Sequence, residues 1–148
     1  MEIVEEKQEV KENVTSTPAP TKNFSKKGFF RKRSVTRAQV HVLCTYNNTK
    51  VTITDMRGEV LGWSSSGSLG FKGSKKSTPF AATLVAQKAL EKTARFNIKE
   101  VEIFIKGVGG GREASARAVG NAGIQINRIK DITPVPHNGC RPKKPRRV

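Results

Sequence analysis

In five short segments of the chain, hydrophobic and polar residues alternate with a period of two or β-branched residues predominate. Such patterns are typical of half-buried β-strands. In the first segment, Val40, Val42, Cys44 and Tyr46 alternate with more polar neighbours. Asparagines and glycines separate the first three segments, which predicts an antiparallel meander with short turns. The predicted strands cover residues 39–46, 50–55, 60–65, 99–106 and 124–132.

Two segments between the later strands predict α-helices. Thr78 has the chemistry of an N-cap and Pro79 that of the first helical residue, while Asn97 is a plausible C-cap. In this first helix, the polar stripe leaves Phe80 and the apolar residues after it available to the sheet. The second helix is short and alanine-rich over residues 114–119. The resulting order, βββαβαβ, predicts an α/β domain with a mixed sheet and right-handed crossovers.

The charge of the chain indicates its partner class. The chain has 148 residues, a net charge of +16 and a pI near 10.4, which indicates one domain with extensions that binds a polyanion. No apolar run approaches the roughly 20 residues of a membrane-spanning helix, so we expect nucleic acid rather than a membrane. Two distant cysteines without metal-ligand spacing favour a reduced cytosolic compartment.

Charge also divides the chain along its length. Residues 1–14 contain five glutamates and two lysines and are followed by a Thr/Ser/Pro stretch, so we expect residues 1–25 to be disordered. Residues 26–37 form a basic arm in which phenylalanines could stack on bases. The folded domain is expected at residues 38–136. Residues 137–148 form a basic, proline-containing tail that could become ordered between phosphates.

The stretch from Gly107 to Arg112 lies between the fourth strand and the second helix. A glycine loop followed by a helix N-terminus is suited to binding an anion. A dinucleotide fingerprint would require glycine where Arg112 stands, and a Walker loop over residues 72–77 would require glycine where Lys75 stands. The glycines could instead make only a tight turn. Three consecutive glycines beside two arginines in so basic a chain favour phosphate contact.

Several segments together resemble the bacterial-type small-subunit ribosomal protein eleven family. They are residues 48–55, 70–82, 107–117 and 131–144, and the resemblance extends from about residue 32 to residue 148. It implies a three-layer α/β domain of the ribonuclease-H-like type. The implied sheet order is 3-2-1-4-5, with strand 2 antiparallel to its neighbours.

The resemblance also implies a function. The family is not enzymatic, needs no cofactor and is a structural constituent of the small ribosomal subunit. It binds 16S-type ribosomal RNA in the platform beside other platform proteins, near the messenger RNA exit path and the 3′ end of the ribosomal RNA. A cytoplasmic ribosome is expected, although the sequence does not distinguish a bacterial from an organellar host. The alternative is a nucleotide-binding enzyme that uses the Gly107–Arg112 loop, which would require both motif failures to be tolerated.

The predicted site residues are all RNA-binding, and none is catalytic or metal-binding. Arg112 opposes the helix dipole, so we expect it to serve binding rather than stability. His41 has no partner at metal-ligand spacing and is interpreted as structural. The predicted RNA-binding residues are Arg31, Lys32 and Arg33 in the arm; Lys72, Lys75, Lys76 and Ser77 in the lysine loop; Gly109, Gly110, Gly111, Arg112 and Arg117 around the glycine turn; and His137, Asn138, Arg141, Lys143, Lys144, Arg146 and Arg147 in the tail.

Overall fold

The computed structural model describes residues 34–141 and 143–144. The predictions for residues 1–33, which include the extension, most of the basic arm and the site residues Arg31, Lys32 and Arg33, lie outside the described residues. The same holds for Arg146 and Arg147 in the tail.

The described residues form a five-stranded mixed sheet in the order β3-β2-β1-β4-β5. β1 is antiparallel to β2, as β2 is to β3, whereas β1 and β4 are parallel, as are β4 and β5. This confirms the predicted element order, sheet order and strand directions. The elements are β1 (Arg37–Cys44), β2 (Thr49–Asp55), β3 (Val60–Ser65), α1 (Pro79–Thr93), β4 (Glu100–Lys106), α2 (Arg112–Asn121) and β5 (Gln125–Asp131), with 3-10 turns at Gly67–Leu69, Gly73–Ser77 and Ala94–Phe96.

Both helices pack on the same face of the sheet and contact each other. The two crossovers, from β3 to β4 and from β4 to β5, run in the same direction across the sheet, so their common handedness puts both helices on one side. The described residues therefore make two layers, helices on sheet. The third layer that the resemblance implied does not occur within residues 34–141 and 143–144.

Alternate strand residues and small helical residues form the core between these layers. Val40 and Val42 of β1, with Ile103 of β4, are almost completely buried against Val85 and Val119 of the helices. Each such side chain contributes about 1.5–3 kcal/mol on burial. The core explains why the period-two pattern located the strands so well.

The start of α1 is capped as predicted, but one face assignment is wrong. Thr78 Oγ1 accepts from the Ala81 N–H at 3.3 Å, and Pro79 is the first helical residue. Phe80, which was expected to face the sheet, is 68% exposed. The buried stripe consists of Ala81, Ala82, Val85, Ala86, Ala89 and Thr93, small side chains that let α1 lie close to the sheet.

The first strand ends earlier than its pattern predicted. The Thr45 N–H donates to the Asn48 carbonyl oxygen at 2.9 Å, and the Asn48 N–H donates to Thr45 Oγ1 at 3.1 Å. These bonds close a turn between β1 and β2. Tyr46 lies in this turn and is 76% exposed, so its place in the alternation does not correspond to a place in the core.

Candidate nucleic-acid interface

The glycine turn between β4 and α2 packs directly on the turn between β1 and β2. A Cβ at Gly107 would lie 2.1 Å from the Cys44 carbonyl oxygen, and φ at Gly107 is +100°. A Cβ at Gly109 would lie 2.3 Å from the Thr45 carbonyl oxygen, and the Gly109 N–H donates to the Cys44 carbonyl oxygen at 3.1 Å. Both residues are glycine because the protein's own backbone occupies the space of a side chain.

Gly111 and Gly110 differ in what surrounds them. A Cβ at Gly111 would lie 2.7 Å from both Ala82 Cβ and Thr49 Oγ1. A Cβ at Gly110 would meet nothing nearer than the Ser77 carbonyl oxygen at 3.9 Å, and Gly110 is exposed. Of the three consecutive glycines, Gly110 is therefore the one whose backbone a ligand could approach.

The approach of the Ser77 carbonyl oxygen to Gly110 brings the lysine loop and the glycine turn together. The lysine loop is ordered as a 3-10 turn, Gly73–Ser77, whose last residue adjoins Gly110. Thr78 Oγ1 donates to the Lys75 carbonyl oxygen at 2.9 Å and ties this turn to the start of α1. Lys72 and Lys75 are exposed and Lys76 is half-buried. The lysine loop therefore has a defined conformation and lies next to the glycine turn.

A groove of about 560 Å³ lies between the first turns of α1 and the exposed side of α2. Gly111 has no side chain to cap α2, so within the described chain the first-turn N–H groups of α2 lack a capping side chain. Such uncapped N–H groups at the positive end of a helix suit an anion. The groove is lined by Pro79, Thr83, Gly109, Gly110, Arg112, Glu113, Ala114, Arg117, Ala118 and Asn121.

Arg112 is half-buried and bonded within the fold, contacts that the expectation of a binding role alone did not include. Its Nη1 donates to the Gly107 carbonyl oxygen at 2.6 Å, and its Nη2 forms an ion pair with Asp131 on β5. These contacts hold the glycine turn against β5. An arginine at a helix N-terminus is repelled by the helix dipole. Here the fold supplies two acceptors for its side chain, the Gly107 carbonyl oxygen and the Asp131 carboxylate.

Asp131 is the other half of this network. Its Oδ1 accepts from the Thr133 hydroxyl at 2.6 Å and from the Thr133 N–H at 2.9 Å. These hydrogen bonds, with the one from Arg112, lower the pKa of Asp131 from 3.8 to about 2. The Thr133 hydroxyl also accepts from the Gly107 N–H at 3.0 Å. The first residues after β5 are therefore joined to the glycine turn.

Arg117 is an exposed cation in the groove. Its side chain is 79% exposed and lies 3.3 Å from Glu113, which is 82% exposed. A surface pair of this kind contributes little to stability, so a phosphate could replace the carboxylate at small cost. Arg117 thus remains a candidate for anion contact, and Arg112, which also lines the groove, has two of its N–H groups engaged within the fold.

The described tail residues are exposed, and no hydrogen bond or ion pair joins residues 137–141 and 143–144 to the groove. This set contains His137, Asn138, Arg141, Lys143 and Lys144. Their role in RNA binding stays a prediction. Thr83 and Asn121 line the groove but were not predicted. Asn121 follows Arg117 at helical spacing, a signal that could have identified it.

His41 has the structural role that the sequence predicted. Its ring stacks on Phe104 with centroids 5.3 Å apart, and burial lowers the pKa of His41. No group of three or more His, Cys, Asp or Glu side chains able to hold a metal occurs in the described part of the chain. None of the helices in this part is long and apolar enough to span a membrane.

Fold and groove together describe a basic α/β domain in which a groove lies beside a glycine turn and a helix N-terminus. Residues 38–147 match the family described as Ribosomal protein S11, and the chain belongs to this family. The family consists of structural ribosomal proteins and the chain is not an enzyme, which rules out the nucleotide-dependent alternative.

Curated relatives bear the name small ribosomal subunit protein uS11. The protein of Aquifex aeolicus is 51% identical over 125 residues, which cover 84% of this chain and all of the relative. That of Treponema pallidum is 50% identical over 117 residues, or 79% of this chain and 93% of the relative. That of Borreliella burgdorferi (strain ZS7) is 52% identical, with 79% and 90% covered.

Proposed function

We propose that this protein is a structural constituent of the small ribosomal subunit and binds its 16S-type ribosomal RNA through the groove between α1 and α2. The names of its relatives support the assignment to the small subunit. The observation that carries the binding site is that Gly110, which adjoins the 3-10 turn Gly73–Ser77, lines one groove together with the uncapped start of α2.

The groove offers two kinds of contact to an RNA phosphate. Backbone N–H groups at Gly110 and in the first turn of α2 can donate hydrogen bonds at close range, because no side chain at Gly110 keeps the phosphate away. Arg117 adds a positive charge in the groove, and Lys75 and Lys76 add two more in the 3-10 turn whose last residue adjoins Gly110. Phosphate contacts of this kind position the RNA backbone and make the affinity depend on salt.

The finer placement follows from the family resemblance. We place the protein in the platform of a cytoplasmic ribosome, near the messenger RNA exit path and the 3′ end of the ribosomal RNA. Neighbouring platform proteins and messenger RNA are its further partners there. The basic arm, residues 26–37, and the tail, residues 137–148, extend the RNA footprint beyond the groove.

The test compares two triple variants of the full chain. Lys75→Gln, Lys76→Gln and Arg117→Gln together remove charge from the groove. The control changes Arg57, Lys88 and Lys99 to Gln, which removes the same charge; Arg57 and Lys99 lie at the far end of the sheet. Binding to a platform fragment of 16S-type ribosomal RNA is measured across a salt series.

Three lost phosphate contacts should flatten the salt slope by roughly two to three units. The control variant should change the slope by less than one unit. Equal losses in the two variants would show that the groove has no special part in binding. Thermal melts of both variants exclude unfolding as the cause of any loss.

A further inference from the structure

The face of the sheet that points away from the helices presents a row of side chains across all five strands. The strand register aligns Trp63 of β3 with Thr52, then His41, Phe104 and Lys130. The next row toward the glycine turn contains Lys50 and Lys106. We call these two rows the open face. Its exposure follows from the packing of both helices on the opposite side.

Flat aromatic surfaces occupy the centre and one edge of the open face. The His41 and Phe104 rings stack on each other with an interplanar angle of 15° and are half-buried, so each ring holds the other in place. Trp63 on the edge strand is 49% exposed. The ammonium groups of Lys50 and Lys92 lie 5.5 and 5.6 Å from its ring centroid, and Lys92 Nζ also donates to the Trp63 carbonyl oxygen at 3.0 Å.

The charge of the open face is of one sign. Lys50, Lys106 and Lys130 are exposed, and the two rows contain no carboxylate within the strands that the structure describes. The nearest acid, Glu102, belongs to the following row, where it is paired across the strands with Arg128. A surface that combines exposed lysines with exposed rings is complementary to a polyanion with flat groups, which is the chemistry of unpaired nucleic acid.

We propose that the open face is a second RNA-binding surface, which takes a single-stranded segment. Bases stack on Trp63 and contact the His41–Phe104 pair, and Lys50, Lys106 and Lys130 contact the phosphates. The inference rests on the proposed function for its partner class, but it uses the side of the sheet opposite the groove. The protein would then hold two RNA segments, one on each side.

Trp63 is the one tryptophan of the chain, so its fluorescence reports on the open face alone. Full-length protein is titrated with a labelled single-stranded hexaribonucleotide, and tryptophan quenching is recorded together with the anisotropy of the label. We expect saturable quenching whose midpoint agrees with the anisotropy. Trp63→Leu should weaken the binding seen by anisotropy by roughly 5- to 100-fold, as loss of one stacked base does, whereas Trp63→Phe should retain most of it.

Further variants and ligands separate the two surfaces. The groove triple variant of Lys75, Lys76 and Arg117 should still be quenched, and Lys50→Gln with Lys130→Gln should weaken quenching while its thermal melt matches that of wild type. Binding without quenching, or quenching that disappears in the groove variant, would overturn the inference and leave the proposed function intact. Equal quenching by poly-glutamate would point to an acidic protein instead and would also overturn it. Failure of the platform RNA fragment to distinguish the groove variant from its control would count against the proposed function alone.

Discussion

Adding one methyl group at adjacent positions of the glycine turn should have opposite consequences. At Gly109 the new Cβ would stand 2.3 Å from the Thr45 carbonyl oxygen and 2.9 Å from its carbon, and both are backbone atoms. The turn would have to move away from the β1–β2 turn and strain the hydrogen bond from Gly109 to Cys44. At Gly110 the new Cβ would meet only an atom 3.9 Å away.

These distances set the expected magnitudes. Overpacking a rigid contact costs about 1–3 kcal/mol, and loss of the hydrogen bond adds about 1 kcal/mol, so Gly109→Ala should lower the free energy of unfolding by about 2–4 kcal/mol. For a domain of this size the melting temperature would fall by roughly 8–20 °C. Gly110→Ala should change stability by less than about 1 kcal/mol, with a small gain possible because alanine restricts the unfolded chain.

Thermal unfolding by circular dichroism and affinity for the platform RNA fragment are measured on both variants. If the Gly110 backbone meets a phosphate, Gly110→Ala loses affinity at an unchanged melting temperature. Gly109→Ala is the matched control for disruption of the turn. A Gly109→Ala protein that melts like wild type, or a Gly110→Ala protein that melts as low as Gly109→Ala, would refute the structural reasoning.

Three further predictions concern the region around and beyond β5. Folding lowers the pKa of Asp131 from 3.8 to about 2, chiefly through its hydrogen bonds with Thr133, so the ionised carboxylate stabilises the fold above pH 3.8 and this effect is lost as the pH falls through about 2. The urea midpoint should therefore fall less between pH 5 and pH 2 in Asp131→Asn than in wild type. Equal falls in the two proteins would contradict this prediction. Deletion of residues 141–148 should preserve the melting temperature but flatten the salt slope of RNA binding, and an unchanged slope would exclude the tail as a binding element. Asn138 is exposed, has φ +51° and precedes Gly139, so aged RNA-free protein should contain isoaspartate there; peptide mass spectrometry that finds Asn138 intact would show the prediction to be wrong.

The sequence predicted the sheet well because burial on one face leaves a direct periodic record. Val40 and Val42 alternate with His41 along β1. In the structure the two valines are buried in the core, whereas His41 lies on the other face of the sheet and stacks on Phe104. The start of α1 was equally readable, since an N-cap and a first-position proline act within one turn of chain. Local chemistry was sufficient at these positions.

Features that depend on distant contacts were not readable in this way. Phe80 is apolar and sits on a helix, yet which stripe is buried depends on how closely the small residues of α1 approach the sheet. Arg112 appeared free for binding because Asp131, its partner, is far along the chain. The glycines looked equivalent in the sequence, but the β1–β2 turn occupies the space beside Gly109 and leaves Gly110 open.

The contacts of Arg112 keep the glycine turn rigid beside the open groove. A site that is rigid before binding loses less conformational entropy when the ligand arrives. Arg112 and Thr133 join the glycine turn to the end of β5, so the N–H groups at the start of α2 are fixed in direction without RNA. Because Thr133 is also where the chain leaves the sheet, the segment that leads to the basic tail starts from the same network. In the proposed complex, the network that stabilises the turn therefore also fixes the point from which the tail extends.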